Sequence, residues 1–181
     1  PVNIKNNMMN IGVTEGLNLC LEISEPSTPS SIASCNLGHI NLKRYVNLDF
    51  KEEITKDNLK DAFDFKFLGK AMRSLLKQGK ISKSNLDNRP IGIGVSGLAE
   101  TFALLKLPFD NPLAKQLNKM IFAAMYYYGL EKSHSLALEN GPYTSFRTGE
   151  SRIYIKGKGW QTMKGSPFSN GYLQFDLWQS E

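Results

Sequence analysis

The stretch Gly16-Leu-Asn-Leu-Cys-Leu-Glu-Ile23 decides how the chain is interpreted, because polar and apolar residues alternate along it. Asn18, Cys20 and Glu22 fall at every second position, which is the period of a β-strand. The pattern therefore predicts a strand over residues 17–24 that presents these three side chains on one face. An amide, a thiol and a carboxylate in a row can hold a polar ligand and transfer a hydrogen atom and a proton. A solvent-exposed strand face is the alternative, although cysteine is seldom left on one.

The composition indicates an ordered globular chain. Its 181 residues are 41% hydrophobic and 10% aromatic, enough to bury a core. Residues 1–16 show no secretion signal, and no stretch approaches the roughly 18 apolar residues of a membrane helix. We therefore expect a cytoplasmic protein that does not bind a membrane.

Cys20 and Cys35 are the two cysteines of the sequence, and His39 and His134 are its two histidines. Because neither CxxC nor HxxxH spacing occurs, we expect no metal site. Two cysteines in a cytosolic chain are either inert core residues, the commoner case, or a redox couple. The position of Cys20 in the polar row keeps the redox couple in consideration.

The net charge of +5 is concentrated in one segment. Residues 147–164 contain five basic side chains and one acidic side chain, a net +4, which leaves about +1 for the rest of the chain. A basic face that runs across the fold is therefore absent from the pattern, and we expect no nucleic-acid partner.

Periodicity and turn residues predict the other elements. Bulky side chains from Met120 to Tyr128, on more than one side of the longest helix, are interpreted as core packing. The predicted elements are a loop over 25–31, an extended piece or a strand running into a helix within 32–42, a helix within 57–78, a loop over 79–88, a strand, turn and helix over 89–107, a helix over 112–139, and short strands at 151–155 and 172–175.

Gly92-Ile-Gly-Val-Ser-Gly97 matches the GxGxxG pattern of dinucleotide-binding proteins. That fingerprint follows a strand and precedes an acidic residue by about 20 positions. Here no strand fits before Gly92, and no acid lies near position 117. We interpret the glycines as a tight turn from a strand into a closely packed helix.

Taken together, four ordered segments resemble the large, catalytic subunit of class I ribonucleotide reductase. They are Asn18-Leu-Cys-Leu-Glu-Ile23, Cys35-Asn-Leu-Gly-His-Ile-Asn-Leu42, Asn88 to Phe102 with its Arg-Pro-Ile-Gly-Ile-Gly-Val, and the pair Glu139-Asn-Gly-Pro-Tyr143 and Gly165 to Trp178. The resemblance spans residues 17–178.

The resemblance implies an α/β fold, as part of a ten-stranded α/β barrel with helices packed outside the strands. In that barrel the radical cysteine lies on an internal loop, so Cys20 is expected at a finger-like tip with Asn18 and Glu22 close by. Residues 1–181 would form one partial catalytic barrel domain. Its parts would be an active-site segment over 17–42, a strand, turn and helix over 89–107, a long helix over 112–139, and a basic insertion over 147–164.

The resemblance also implies a role for each site residue. Cys20 would be the thiyl radical that abstracts the 3′-hydrogen of the substrate ribose. Glu22 would be the base at the 3′-hydroxyl, and Asn18 would bind and orient the substrate. Cys35 would be one of two cysteines that supply electrons as the 2′-hydroxyl leaves as water; its usual partner lies upstream, outside this chain.

Further components follow from the same resemblance. The substrate would be a ribonucleoside diphosphate, and the partners would be the rest of the large subunit and a metal-containing small subunit that generates the radical. This segment itself would bind no cofactor. Thioredoxin or glutaredoxin would be the reductant, and ATP and dNTP effectors would bind outside this segment.

The chain departs from the family in two ways. Segments that complete the active site are missing, so we expect a fragment or one piece of a split subunit that is inactive alone. Residues 147–164 are longer than the family pattern, and Arg152–Trp160 is predicted to be a surface hairpin that turns at Gly157-Lys158-Gly159. We favour a tolerated insertion over a binding element for an anion or a partner chain. An adenosylcobalamin-dependent reductase segment and a non-catalytic relic or binding module are the alternative functions.

Overall fold

The computed structural model describes residues 3, 6–27, 29, 32–34, 36–78 and 88–177. This part of the chain forms strands β1 (Asn36–Asn41), β2 (Ile91–Ser96), β3 (Glu150–Ile155) and β4 (Gly159–Lys164), and helices α1 (Phe65–Gln78), α2 (Leu98–Leu104), α3 (Pro112–Asn140) and α4 (Gln174–Leu177). Short 3₁₀ turns cover Leu42–Tyr45, Thr144–Arg147 and Phe168–Asn170. Strand β1 pairs with β2, and β3 pairs with β4 as an antiparallel hairpin.

The chain divides into two compact units. The first contains residues 38–79 and 93–139, and its helices enclose a hydrophobic core. The second contains residues 1–37, 80–92 and 140–181, and it carries the candidate site and the β3–β4 hairpin. The division falls inside both β1 and β2, so each of these strands contributes residues to both units.

Helix α3 supplies one side of the first unit's core. It begins after Asn111, whose side-chain Oδ1 accepts a hydrogen bond from the Leu113 N–H at 2.8 Å. It ends before Gly141, which has a left-handed φ of 73°. These are the expected cap residues at the two ends of a helix, and the helix predicted over 112–139 is confirmed.

The buried side chains of α3 recur every three or four residues, which gives one apolar stripe. They are Ala114, Leu117, Ile121 and Met125. The interpretation of all the bulky side chains as core holds only in part, because Phe122 is 44% and Tyr127 62% exposed.

Helix α1 begins later than its periodicity predicts. The Asp64 Oδ1 accepts a hydrogen bond from the Phe67 N–H at 2.8 Å, so Asp64 caps the helix and fixes its first turn. Upstream, the Asn58 Oδ1 accepts a hydrogen bond from the Thr55 N–H at 2.7 Å, which turns the chain before the helix starts.

The two strands predicted near the end of the chain have different outcomes. The strand at 151–155 is confirmed as β3. The strand at 172–175 is wrong, because Gln174–Leu177 is helical. The Asp176 carboxylate accepts a hydrogen bond from the Leu173 N–H at 2.7 Å, as in the capping box of a helix start.

The described residues therefore form a mixed helix-and-strand fold with two two-stranded sheets. Within them no closed barrel is present. This is consistent with a partial α/β fold, and the ten-stranded barrel stays a prediction for a larger assembly.

Candidate active site

Residues 17–23 form a tight finger loop, and the predicted strand over 17–24 is wrong. The Leu21 N–H donates to the Asn18 carbonyl at 3.1 Å, which makes a turn. The Asn18 side-chain Oδ1 also accepts a hydrogen bond from the Ile23 N–H at 3.1 Å. Leu21 has a φ of 63°, which is incompatible with an extended strand. The Asn18 side chain thus forms a hydrogen bond with the nearby backbone of the loop, which competes with strand pairing, as asparagine often does in turns.

Cys20 lies at the exposed tip of the finger loop. Its neighbours Leu19 and Leu21 are also exposed, by 97% and 68%. The thiol is therefore accessible to a reactant or to another part of a larger protein. A tip position for Cys20 agrees with the expectation drawn from the family resemblance.

Glu22 is placed differently from Cys20. Both of its carboxylate oxygens are shielded from solvent, and neither accepts a hydrogen bond from any part of the chain that the structure describes. A buried carboxylate without a partner is energetically costly, so such a group usually serves a ligand or a reaction.

Gly92 in β2 provides the space that Glu22 occupies. A Cβ built on Gly92 would lie 3.0 Å from Glu22 Cγ, 3.1 Å from Ile23 Cβ and 2.8 Å from Leu37 Cδ2. These distances are too short for carbon atoms in ordinary contact. Glycine at position 92 therefore allows the finger loop to pack against β2.

The other glycines of the GxGxxG pattern admit side chains from β1. A Cβ on Gly94 would lie 2.7 Å from the His39 Nε2, and one on Gly97 would lie 2.7 Å from the Asn41 Oδ1. Gly97 alone makes the turn into α2, with a left-handed φ of 76°. The proposed tight turn is thus correct for Gly97, whereas Gly92 and Gly94 lie within the strand.

A buried polar cluster closes the base of the finger loop. The Asn6 Nδ2 donates to the Thr14 Oγ1 at 3.1 Å and to the Ser24 Oγ at 3.3 Å. Ser24 Oγ and Thr14 Oγ1 are themselves 3.4 Å apart and hydrogen-bonded. Because Thr14 precedes the loop and Ser24 follows it, Asn6 joins its two stems.

A cavity of about 290 Å³ borders the same loop. Asn18 and Ile23 line it together with the carboxylates Glu15 and Glu25. Burial raises the pKa of Glu25 above its ordinary value. The Asn18 Nδ2 donates no hydrogen bond within the described residues, so it is available to a ligand.

The structure brings Asn18, Cys20 and Glu22 into one loop, while Cys35 lies outside the described residues. Sequence reasoning missed the supporting positions Asn6 and Gly92. The GxGxxG pattern pointed to Gly92, although for a different reason. No local signal marks Asn6, because its partners Thr14 and Ser24 are distant in sequence.

The chain belongs to the ribonucleotide reductase barrel domain family, whose model matches residues 1–181. It is 38% identical over 185 residues to the ribonucleoside-diphosphate reductase large subunit of Plasmodium falciparum (isolate Dd2). The large subunits of Acanthamoeba polyphaga mimivirus and Trypanosoma brucei brucei are 39% and 40% identical over 183 and 187 residues. These alignments cover 98–99% of this chain and 19–20% of the relatives, so the chain spans about a fifth of their length.

The described residues contain neither a membrane-spanning helix nor a cluster of metal-binding side chains. None of their helices combines the length and the apolar character needed to cross a membrane. No group of three or more His, Cys, Asp or Glu side chains among them is arranged to hold a metal ion.

Proposed function

We propose that this chain is the active-site segment of the catalytic subunit of a class I ribonucleoside-diphosphate reductase. The reaction is the radical-based reduction of ribonucleotides to 2′-deoxyribonucleotides for DNA synthesis, in the cytoplasm. The observation that carries the proposal is the finger loop, in which an exposed thiol lies two residues from a buried carboxylate without a partner. The membership of the family supports it.

Cys20 acts as a thiyl radical in the first step. The sulfur takes the 3′-hydrogen atom of the substrate ribose, so the thiol S–H forms and the radical moves to the 3′-carbon. When the product radical forms, the same thiol returns the hydrogen atom and regains its radical. The exposed position of Cys20 at the loop tip suits a group that must touch substrate and exchange only a hydrogen atom.

Glu22 and Asn18 act on the sugar hydroxyls. The Glu22 carboxylate accepts the proton of the 3′-hydroxyl as general base, a role that needs a carboxylate not already bonded within the protein. Asn18 uses its Oδ1 to hold the loop, which leaves its Nδ2 to donate to the substrate. The same side chain thus shapes the loop and orients the substrate.

Cys35 supplies one of the two thiols that reduce the 2′-carbon. The two thiols close to a disulfide, two electrons pass to the substrate, and the 2′-hydroxyl leaves as water. The second thiol belongs to the rest of the large subunit, either in the same polypeptide or in a separate chain. Thioredoxin or glutaredoxin restores the dithiol, a metal-containing small subunit supplies the radical, and ATP and dNTP effectors bind outside this segment.

The test uses the native polypeptide that contains these residues, assayed for deoxynucleotide formation with its small subunit and a dithiol reductant. We expect Cys20→Ser to abolish turnover without changing substrate binding. Ser133→Ala, at an exposed position of α3, is the control and should retain activity. Turnover by Cys20→Ser would contradict the proposal.

Three further outcomes distinguish the alternatives. Activity that depends on adenosylcobalamin and not on a small subunit would replace the class I assignment. Turnover by the isolated 181-residue chain would contradict our expectation that the segment is inactive alone. If Cys20→Ser left the biological role of the parent protein untouched, a non-catalytic relic would explain the chain better.

A further inference from the structure

A second surface, distinct from the finger loop, lies on the β3–β4 hairpin. We define the cationic hairpin face by five exposed basic side chains, of which Arg152 and Lys164 share one face of the strands, Lys156 and Lys158 lie in the turn between them, and Arg147 lies in the 3₁₀ turn before β3. None of them forms an ion pair within the described part of the chain, where the ion pairs are Arg73–Glu131 and Lys132–Glu139. Glu150 lies opposite Lys164 in the hairpin register and is the acidic residue of this segment.

The backbone of the hairpin is anchored at its base by buried side chains and hydrogen bonds. Ser151 and Ile153 are each 1% exposed on the inner side of β3. The Ser151 Oγ donates to the Gly165 carbonyl at 2.5 Å, and the Gly165 N–H donates to the Gly149 carbonyl at 2.8 Å. A surface on an anchored backbone loses less loop entropy on binding than one on a mobile loop.

An aromatic pair supports the central arginine of this face. The Arg152 guanidinium lies 5.0 Å from the centre of the Trp160 ring, and Tyr154 meets Trp160 edge to face at 5.7 Å. Stacking orients the planar guanidinium, whose N–H groups match the two oxygens of a carboxylate. Because Arg152 covers the Trp160 ring, this face lacks the open aromatic platform on which nucleic-acid bases stack.

The strands of the hairpin also have unpaired edges. The sheet contains β3 and β4 alone, so each strand has one edge that no other described strand covers. An extended peptide can add to such an edge through backbone hydrogen bonds. Its alternate side chains then point to one face, about 7 Å apart, which is also the spacing of alternate side chains on β3.

We propose that the cationic hairpin face docks an extended, acidic polypeptide segment of a partner protein. Carboxylates of the segment pair with Arg152, Lys156 and the other basic side chains of this face, while its backbone extends the sheet. A polypeptide is favoured over nucleic acid because the excess charge is confined to this hairpin and its aromatic face is covered. This docking does not depend on the proposed reductase activity.

The experiment measures the fluorescence polarisation of a labelled peptide of alternating Glu and Thr, six residues long to match β3 and β4. It is titrated with the native polypeptide that contains this chain. We expect saturable binding that weakens with salt, and an increase in Kd of about tenfold or more for the double variant Arg152→Glu with Lys156→Glu. Lys115→Glu with Lys119→Glu, a matched charge reversal on exposed positions of α3, should leave the Kd unchanged.

Three results would overturn the proposal. The first is no binding of the Glu-Thr peptide by a protein whose circular dichroism and unfolding are normal. The second is equal loss in both double variants, which would indicate a response to net charge only. The third is tighter binding of a single-stranded oligonucleotide or of anionic phospholipid vesicles than of the peptide, which would assign the face to a different class of partner.

Discussion

Gly92 and the Glu22 side chain are in such close contact that a Cβ on Gly92 would lie 3.0 Å from Glu22 Cγ. The position of the proposed general base is therefore set by a residue without a side chain, on a strand far from the finger loop in sequence. A substitution at Gly92 in β2 therefore tests the proposed catalytic role of Glu22.

Gly92→Ala should displace Glu22 and lower kcat. A misplacement of about 1 Å can lower a rate by about 10²-fold, so we expect a loss of that order with a smaller effect on KM. Steady-state kinetics of the native protein measure it. Gly129→Ala on α3 is the control, because its Cβ would lie 3.7 Å from the Met72 Cε, an ordinary contact. Equal kinetics for Gly92→Ala and the wild type would show that Gly92 does not position Glu22.

Asn6→Ala should loosen the finger loop from its base. The substitution removes the buried amide that donates hydrogen bonds to Thr14 and Ser24. Its loss should lower the free energy of unfolding by about 1–3 kcal/mol. If Asn6 positions the loop, kcat should fall while substrate binding falls less. Asn7→Ala is the matched control, because the Asn7 side chain forms no hydrogen bond within the described residues. A stability loss without any change in kcat would limit Asn6 to a structural role.

Glu25 should make stability depend on pH in the acidic range. Burial raises its pKa above the ordinary 4.5, so the folded state binds the proton more tightly than the unfolded state does. Its contribution to stability is thus fully present below pH 4.5 and is lost as the pH rises through the raised folded value. Near neutral pH, Glu25→Gln should have a larger free energy of unfolding than the wild type. The variant should also lack the pH dependence that the Glu25 carboxyl causes. Urea unfolding at several pH values measures it, and identical pH profiles for the two proteins would contradict the prediction.

Gly149→Ala should disrupt the base of the hairpin. A Cβ there would overlap the Asn10 carbonyl oxygen, and the left-handed φ of 69° already disfavours alanine. Gly157→Ala isolates the backbone effect, because its φ is 83° and a Cβ there would meet nothing within 4 Å. Thermal unfolding should therefore show a larger loss for Gly149→Ala, and equal losses would mean that the overlap with Asn10 relaxes freely.

Sequence reasoning predicted the long helix well because its signals are local. Asn111 and Gly141 cap the two ends, and a regular apolar stripe lies between them. The same reasoning found the hairpin from its glycines, although the strands extend from Glu150 to Lys164 and Gly159, predicted in the turn, begins β4 opposite Ile155. Such features depend on residues within a few positions of one another.

The prediction of a strand over the finger loop was wrong because an alternating polar and apolar pattern does not show which hydrogen bonds the side chains form. Asn18 accepts a hydrogen bond from Ile23, and Leu21 adopts a left-handed conformation, and neither feature changes the polar and apolar pattern. The proximity of Gly92 to Glu22 depends on the tertiary fold. Residue types suggested the chemistry that we propose for Asn18, Cys20 and Glu22, whereas the contacts that support the loop depend on the tertiary fold.

The hydrogen bonds that shape the finger loop involve the backbone and Asn18, and none of them uses the Cys20 sulfur. A change in the oxidation state of that sulfur would therefore break none of these hydrogen bonds. If Cys20 is the radical residue that we propose, a radical could form on it without the backbone of the loop having to give up a hydrogen bond. The proposed reaction would then change the sulfur of Cys20 and leave the hydrogen bonds of the loop as they are.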